Sequence, residues 1–274
     1  MSLTFKAGLK PLSLIFWVSS ILLLSVLGYN GYQFILQKAE IETHQQIRKE
    51  IAILQQRKQT EFDHIIQKLQ QTTLFMSRLP PIQDIIQASL DSEQNTSNAT
   101  NLAPARRQLQ EIYQSYLISD PAIFQARFIR YDSQGMEWVR VDRSPGQKTV
   151  IITPDHELQS KAGRDYFQKA RSLPPGVLGF SDINLNREHG VIEFPHRPTI
   201  RCYISVFTPD GTPFGMIAIN YDMTAFLTQF AISSIDDYRI YLTDKSGHIL
   251  PLRTVPRQRL PTPILVVLSH SFRT

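Results

Sequence analysis

The hydrophobic pattern changes along the chain, and each change marks an element. No charged residue lies between Lys10 and Lys38, a gap of 27 positions. Residues 12–27 read Leu-Ser-Leu-Ile-Phe-Trp-Val-Ser-Ser-Ile-Leu-Leu-Leu-Ser-Val-Leu, and the stretch continues to Leu36. That exceeds the roughly 20 apolar residues needed to cross a hydrocarbon core. Serines inside such a run return their hydroxyls to the helix backbone. Tyr29 and Tyr32 fall where an outer aromatic belt belongs. The pattern predicts a transmembrane helix over 11–32, preceded by a short tail, 1–10. The alternative is a cleaved signal peptide. It needs a shorter apolar core and a small-residue cleavage step, and the run into Gly28-Tyr-Asn-Gly-Tyr-Gln-Phe-Ile-Leu36 offers neither.

From Gln33 to Arg78 there is no proline or glycine, and apolar residues recur at steps of 3, 4 and 7. Ile47, Ile51, Leu54, Phe62, Ile66 and Leu69 belong to this series. The spacing predicts a long amphipathic helix. It serves either as a helix packed on a globular core or as a dimer seam, with Lys58 interrupting a strict heptad. Leu79-Pro80-Pro81 ends it. A short helix is expected near 82–90, then a polar loop over 91–103, then a helix over 104–118. Residues 33–121 thus form a helical region.

After Asp120-Pro121 the period becomes that of strands. Strands are predicted at 122–131, 136–143, 149–153, 177–185, 191–194, 199–208 and 214–221. Asp132-Ser-Gln-Gly135 and Pro209-Asp-Gly-Thr-Pro213 are the turns. A helix capped by Asp155 is expected over 156–173. This is an α+β unit of antiparallel sheet with helices at one side, 122–222. A helix over 222–231, a strand at 238–243 and a hairpin return at 248–250 begin a second unit, 223–250. The tail 251–274 shows no continuing strand pattern. The second module is therefore expected to be incomplete, either truncated or frameshifted.

Composition narrows the function classes. Apolar residues make up 42% and charged residues 19%, so a packed core is expected. Lys+Arg exceed Asp+Glu by 29 to 24, and the basic residues form no stripe, so no nucleic-acid partner is expected. The single cysteine, Cys202, excludes a disulfide scaffold and reads as a small core residue. No Walker loop, Gly-x-Ser-x-Gly, HExxH or GxGxxG occurs, so neither an enzyme nor a cofactor is expected. His189, His196 and Glu193 lack metal-ligand spacing and read as part of a loop over the sheet.

The order of these elements resembles the double-Cache, PAS-like extracytoplasmic sensor of bacterial histidine kinases, diguanylate cyclases and chemoreceptors. The resemblance rests on Glu137-Trp-Val-Arg-Val-Asp-Arg143, Arg164-Asp-Tyr-Phe-Gln-Lys-Ala170 and Ser181-Asp-Ile-Asn-Leu-Asn-Arg-Glu-His-Gly190. Pro195-His-Arg-Pro198 and Gly211-Thr-Pro-Phe-Gly-Met-Ile-Ala-Ile-Asn220 complete it. It implies a membrane-distal sensor unit at 122–222 and the start of a membrane-proximal unit at 223–250. Such receptors carry a second transmembrane helix and an output domain, and neither is found in this sequence.

Arg164, Tyr166 and Phe167 match the Arg-x-aromatic-aromatic arrangement of small-ligand Cache pockets, in which the arginine resembles a carboxylate clamp. A guanidinium fork suits a carboxylate, and aromatic rings supply an apolar wall. The competing reading leaves Tyr166 and Phe167 in the core and Arg164 solvated. Amino-acid-binding members carry a tyrosine and a late aspartate where this chain has Phe207 and Asn220, which favours a carboxylate without an amine or another small anion.

Along 136–143, alternation puts Trp138, Arg140 and Asp142 on one face and Val139 and Val141 on the other. Arg140 is then a ligand contact or the partner of Asp142 or a neighbour. Arg201 and Tyr203 carry the same ambiguity. The candidate ligand-binding set is Trp138, Arg140, Arg164, Tyr166, Phe167, Arg201 and Asn220.

The expected protein is a bacterial inner-membrane sensor, single-pass, with a cytoplasmic N-terminus and a periplasmic sensor region. It would bind a small ligand, with a carboxylate as the leading class, and dimerise through the long helix. The alternative is a membrane-tethered interaction module with no small ligand.

Overall fold

The computed structural model describes residues 11–94, 102–144, 146–232, 239–242 and 263–266. The chain divides into two units, Met1–Gln56 and Arg57–Thr274. Helix α1 runs Pro11–Ser77. Its N-terminal part is long and apolar enough to cross a membrane, and its apolar side chains from Ile15 to Leu36 are exposed. Ser19 and Ser25 return their hydroxyls to the carbonyls of Phe16 and Ile21, each at 2.9 Å, as an apolar surrounding requires.

In the second unit, Phe62, Ile66, Leu69 and Met76 of α1 are buried at helical spacing. Lys58 on the same helix is buried as well, with its charge met by Glu61 at 2.8 Å. Helix α2 spans Pro80–Gln94 and α3 spans Leu102–Ser119. Both are longer than their apolar residues foretold, so positions 91–94 and 102–103 of the expected polar loop are helical, and 95–101 lie outside the described residues. Ala105, Leu109, Tyr113 and Leu117, four apart, form the buried stripe of α3.

The seven-stranded sheet is built from β1 (Ile123–Arg130), β2 (Glu137–Asp142), β3 (Ile151–Ile152), β4 (Leu178–Phe180), β5 (Asn184–Leu185), β8 (Pro198–Phe207) and β9 (Pro213–Asp222). Its order is β3-β2-β1-β9-β8-β4, with β5 also paired to β8, and its ladders are antiparallel. β6 (Arg187–Glu188) and β7 (Val191–Ile192) form a separate hairpin. Its two-residue turn, His189-Gly190, has positive φ at both positions (49° and 81°), the geometry that matches strand twist.

Strand alternation gives the sheet two distinct faces. Phe124, Ala126, Phe128, Val139, Val141 and Cys202 are buried on one. That face meets the helices: Arg106 of α3 donates to the Trp138 carbonyl at 3.0 Å, and Cys202 meets Thr73 of α1. On the other face, Ile129, Tyr203, Met216 and Ala218 pack under Tyr166, Phe167 and Ala170 of α4 (Asp165–Arg171).

The structure corrects three expectations. The helix expected over 156–173 is only α4, preceded by a 3-10 turn at Asp155–Glu157. Residues 159–161 instead run beside the start of β2. Ser160 bridges Met136, Lys161 N donates to the Gly135 carbonyl at 2.9 Å, and Gln159 N donates to Glu137 Oε2 at 3.0 Å.

Second, a β-bulge after Phe128 pairs Ile129 with Glu137 and leaves Trp138 as the extra residue. Trp138 therefore does not share a face with Arg140 and Asp142. Its ring packs edge-on against Phe128 and Phe214 at 6.2 and 5.9 Å.

Third, the tail is not without strand. β11 (Pro263–Val266) pairs in parallel with β10 (Arg239–Leu242), which follows α5 (Thr224–Ile232). The expected return at 248–250 lies outside the described residues.

Candidate ligand cavity and its buried charges

The sheet face under α4 is polar at its centre, and strand parity explains why. Gln125 and Arg127 on β1, Arg140 on β2, Asn220 on β9 and Arg201 on β8 stand opposite one another in the ladders. All five are buried. Arg127 Nη1 donates to the Tyr166 hydroxyl and Nη2 to Asn220 Oδ1, each at 2.9 Å. Asn220 Nδ2 in turn donates to Gln125 Oε1 at 2.8 Å.

Glu137, 1% exposed, lies among three cations: Lys161 at 3.4 Å, Arg127 at 3.6 Å and Arg140 at 3.8 Å. Removing one partner from such a buried group strands the others, at a typical cost of about 3–5 kcal/mol. Arg140 also meets Asp142 at 2.5 Å and Glu188 at 2.9 Å. Burial pushes the Glu188 carboxyl up, but Arg140, Arg127 and Lys161 outweigh it and hold the carboxyl at about 2. Burial, then the Arg127 charge, pushes the Lys161 ammonium down to about 8.

Arg201 differs from these cations. It is 3% exposed and forms no ion pair with a carboxylate among the described residues. Nη1 donates to Asn184 Oδ1 at 2.7 Å and Nη2 to Asn186 Oδ1 at 3.0 Å. Two guanidinium carbons lie over the Tyr166 ring, Arg127 at 5.3 Å and Arg201 at 5.8 Å from its centroid. Burial, then Arg127, lowers the Arg201 pKa to about 10. A cavity of about 460 Å³ opens here, lined by Arg201, Tyr166, Tyr203, Arg164, Lys169, Arg187 and Ile192, with Asp165 and Asp182 also on its wall.

Of the residues singled out from the sequence, the cavity wall brings together Arg164, Tyr166 and Arg201. Asn220 lies one layer behind, against Arg127. Phe167 belongs to the core, with Tyr131 5.3 Å from its ring. Arg140 is held by its carboxylates, and Trp138 lies on the far face. His196 Nδ1 is 3.2 Å from the Glu193 carbonyl, and His189 Nε2 is 3.3 Å from Gln159 Nε2.

Sequence reasoning missed Arg127, Glu137, Lys161 and Glu188. The alternation of Phe124, Ala126 and Phe128 with Gln125 and Arg127 was a visible signal for the first of them. No local pattern reveals Glu137, because the bulge decides where it points.

The antiparallel sheet carries α1 and α3 on one face and α4 with a charged, aromatic-walled cavity on the other, the layout of a sensor-type module. Residues 84–254 match the bacterial histidine kinase sensor domain, and the chain belongs to that family. No curated protein matches it significantly.

Among solved structures, the domain of a sensory box/GGDEF family protein from Vibrio parahaemolyticus is similar in fold. It has a TM-score of 0.50 and 19% identity over 66% of this chain and 62% of its own. The extracellular domain of the histidine kinase vpHK1S-Z8 gives 0.49 and 20% over 64% and 57%. The ligand-binding domain of the Campylobacter jejuni chemoreceptor Tlp3, solved with 4-methylisoleucine, gives 0.44 and 13% over 66% and 60%. The chain thus spans about three-fifths of the length of these solved domains.

Proposed function

We propose that this chain is a membrane-anchored sensor whose unit at 122–222 binds a small carboxylate in the cavity at Arg201. One observation carries the reading. Arg201 is a buried cation beside a second one, Arg127, and among the described residues its guanidinium donates only to amide oxygens. A buried charge without a counter-charge is costly, and a ligand carboxylate would supply one. Arg164 and the Tyr166 hydroxyl add donors, while the Tyr166 and Tyr203 rings add apolar wall. Asn220 is fully buried behind Arg127 and does not line the cavity, so its amide oxygen is out of reach of a ligand ammonium.

In this reading, residues 11–32 cross the inner membrane. Lys6 and Lys10 keep the N-terminus cytoplasmic, and the sensor lies outside. Ligand binding would bias the long helix between two arrangements in a homodimer, which requires different affinities for the two.

A second reading, a tethered protein-interaction module, is favoured by the β6–β7 hairpin region, where Val191 is 69% and Phe194 76% exposed.

The test is calorimetry on the full chain in nanodiscs with a panel of small carboxylic acids. The sensor reading expects one or more to bind, with loss of roughly tenfold or more affinity in Arg201→Met and partial recovery in Arg201→Lys. No binding by any acid, or equal binding in Arg201→Met, removes it and leaves the interaction module.

A further inference from the structure

A second cavity, about 490 Å³, lies beside the first. Residues 156–161 and the turn of the β6–β7 hairpin bound it. The two cavities share Gly163, Arg164 and Arg187, so the same two arginines line both. Neither arginine forms an ion pair among the described residues. Arg187 donates to the Gly190 carbonyl at 3.2 Å. At the inner wall of the second cavity stands Lys161, 6% exposed. Its ammonium has three N–H groups. One of them donates to Gln159 Oε1 at 2.8 Å, and Glu137 Oε1 lies 3.4 Å away as an ionic partner. Glu157, the carboxylate on this wall, lies 3.6 Å from His156.

We propose that the two cavities are one groove and that its ligand is an elongated dianion. One anionic end sits on Arg201 and Tyr166, the other beside Lys161, and the connecting chain lies along Arg164 and Arg187. The inference rests on the ligand-binding reading above and adds the second subsite and the ligand's length. Two separate small anions would each lose their own translational freedom, whereas a tether makes the second contact intramolecular. Together the cavities approach the upper end of small-molecule sites, roughly 1,000 Å³, more than a short monoacid fills.

The experiment is calorimetry on the full chain in nanodiscs, with linear α,ω-dicarboxylates and the monocarboxylates of matching length as probes. At one chain length the diacid should bind roughly tenfold or more tightly than its monoacid. Lys161→Met should abolish that ratio. Should this variant not fold, the wild-type length series decides alone. Equal affinity of diacid and monoacid at every length overturns the proposal while leaving the carboxylate sensor intact, and so does a preference that persists in Lys161→Met. No binding by any acid overturns both.

Discussion

Arg127 donates through Nη1 to the Tyr166 hydroxyl at 2.9 Å, and this bond sets what the hydroxyl presents to the cavity. A phenol whose oxygen already accepts from a guanidinium keeps its own proton for donation. Every polar group that Arg127 and Arg201 organise at this wall is then a donor, which selects an acceptor-rich ligand. Tyr166→Phe tests this on two axes. The variant leaves an Arg127 N–H without its acceptor in a buried site, for a loss of about 1–3 kcal/mol of stability. It also removes a charge-assisted contact to the ligand, so affinity for the best-binding acid should fall roughly tenfold or more. Thermal melts and calorimetry on the same preparation separate the two. An affinity unchanged within error would mean that the hydroxyl points away from the ligand.

The cavity's second aromatic wall depends on the absence of a side chain. Gly179 on β4 pairs with Tyr203 on β8, and a Cβ at Gly179 would run into the Tyr203 ring. The obstacle is the ring body rather than a flexible tip, so the ring must shift or β4 must separate from β8. Gly179→Ala is therefore expected to lower stability by about 1–3 kcal/mol, the range for overpacking, and to weaken ligand binding as well. Thermal melts and calorimetry would read the two effects. A variant as stable as the parent, with the parent's affinity, would place the ring outside the ligand's reach.

How far the sequence reaches depends on the range of the forces involved. The apolar run, the helical stripe of α1 and the strand alternation of β1, β8 and β9 are local patterns, and each is legible in the residues themselves. The resemblance to Cache pockets singles out Arg164 and Tyr166, and strand alternation singles out Arg201, while their place on the cavity wall comes only from the structure. The structure departs wherever one segment answers to a distant one. The stretch 158–161 has good helix formers, yet Glu137 and Met136 hold its backbone extended. Trp138 lies on the face opposite to the one alternation assigns because a single bulged residue reverses parity. The Glu137 cluster draws on β1, β2 and the 159–161 segment, so no window of sequence contains it.

The last prediction concerns acid, and it follows from how the β6–β7 hairpin is fastened. Glu188 on β6 receives Arg140 Nη1 at 2.9 Å, Gln159 Nε2 at 3.1 Å and Asn186 Nδ2 at 3.0 Å. Its carboxyl is held at about 2 in the fold, against an ordinary value of 4.5. A group whose pKa is depressed by folding contributes stability in full above its unfolded value and loses it as the pH falls toward its folded one. Here that contribution is on the order of 3 kcal/mol, present above about pH 4.5 and lost between there and about pH 2. Because the hairpin carries Arg187 and Ile192 onto the cavity wall, its release should also cost ligand affinity in the same window. Glu188→Gln should lower stability at neutral pH and flatten the acid limb of the melting-temperature profile. If the variant melts along the parent's profile through pH 5 to 3, the fastening lies elsewhere.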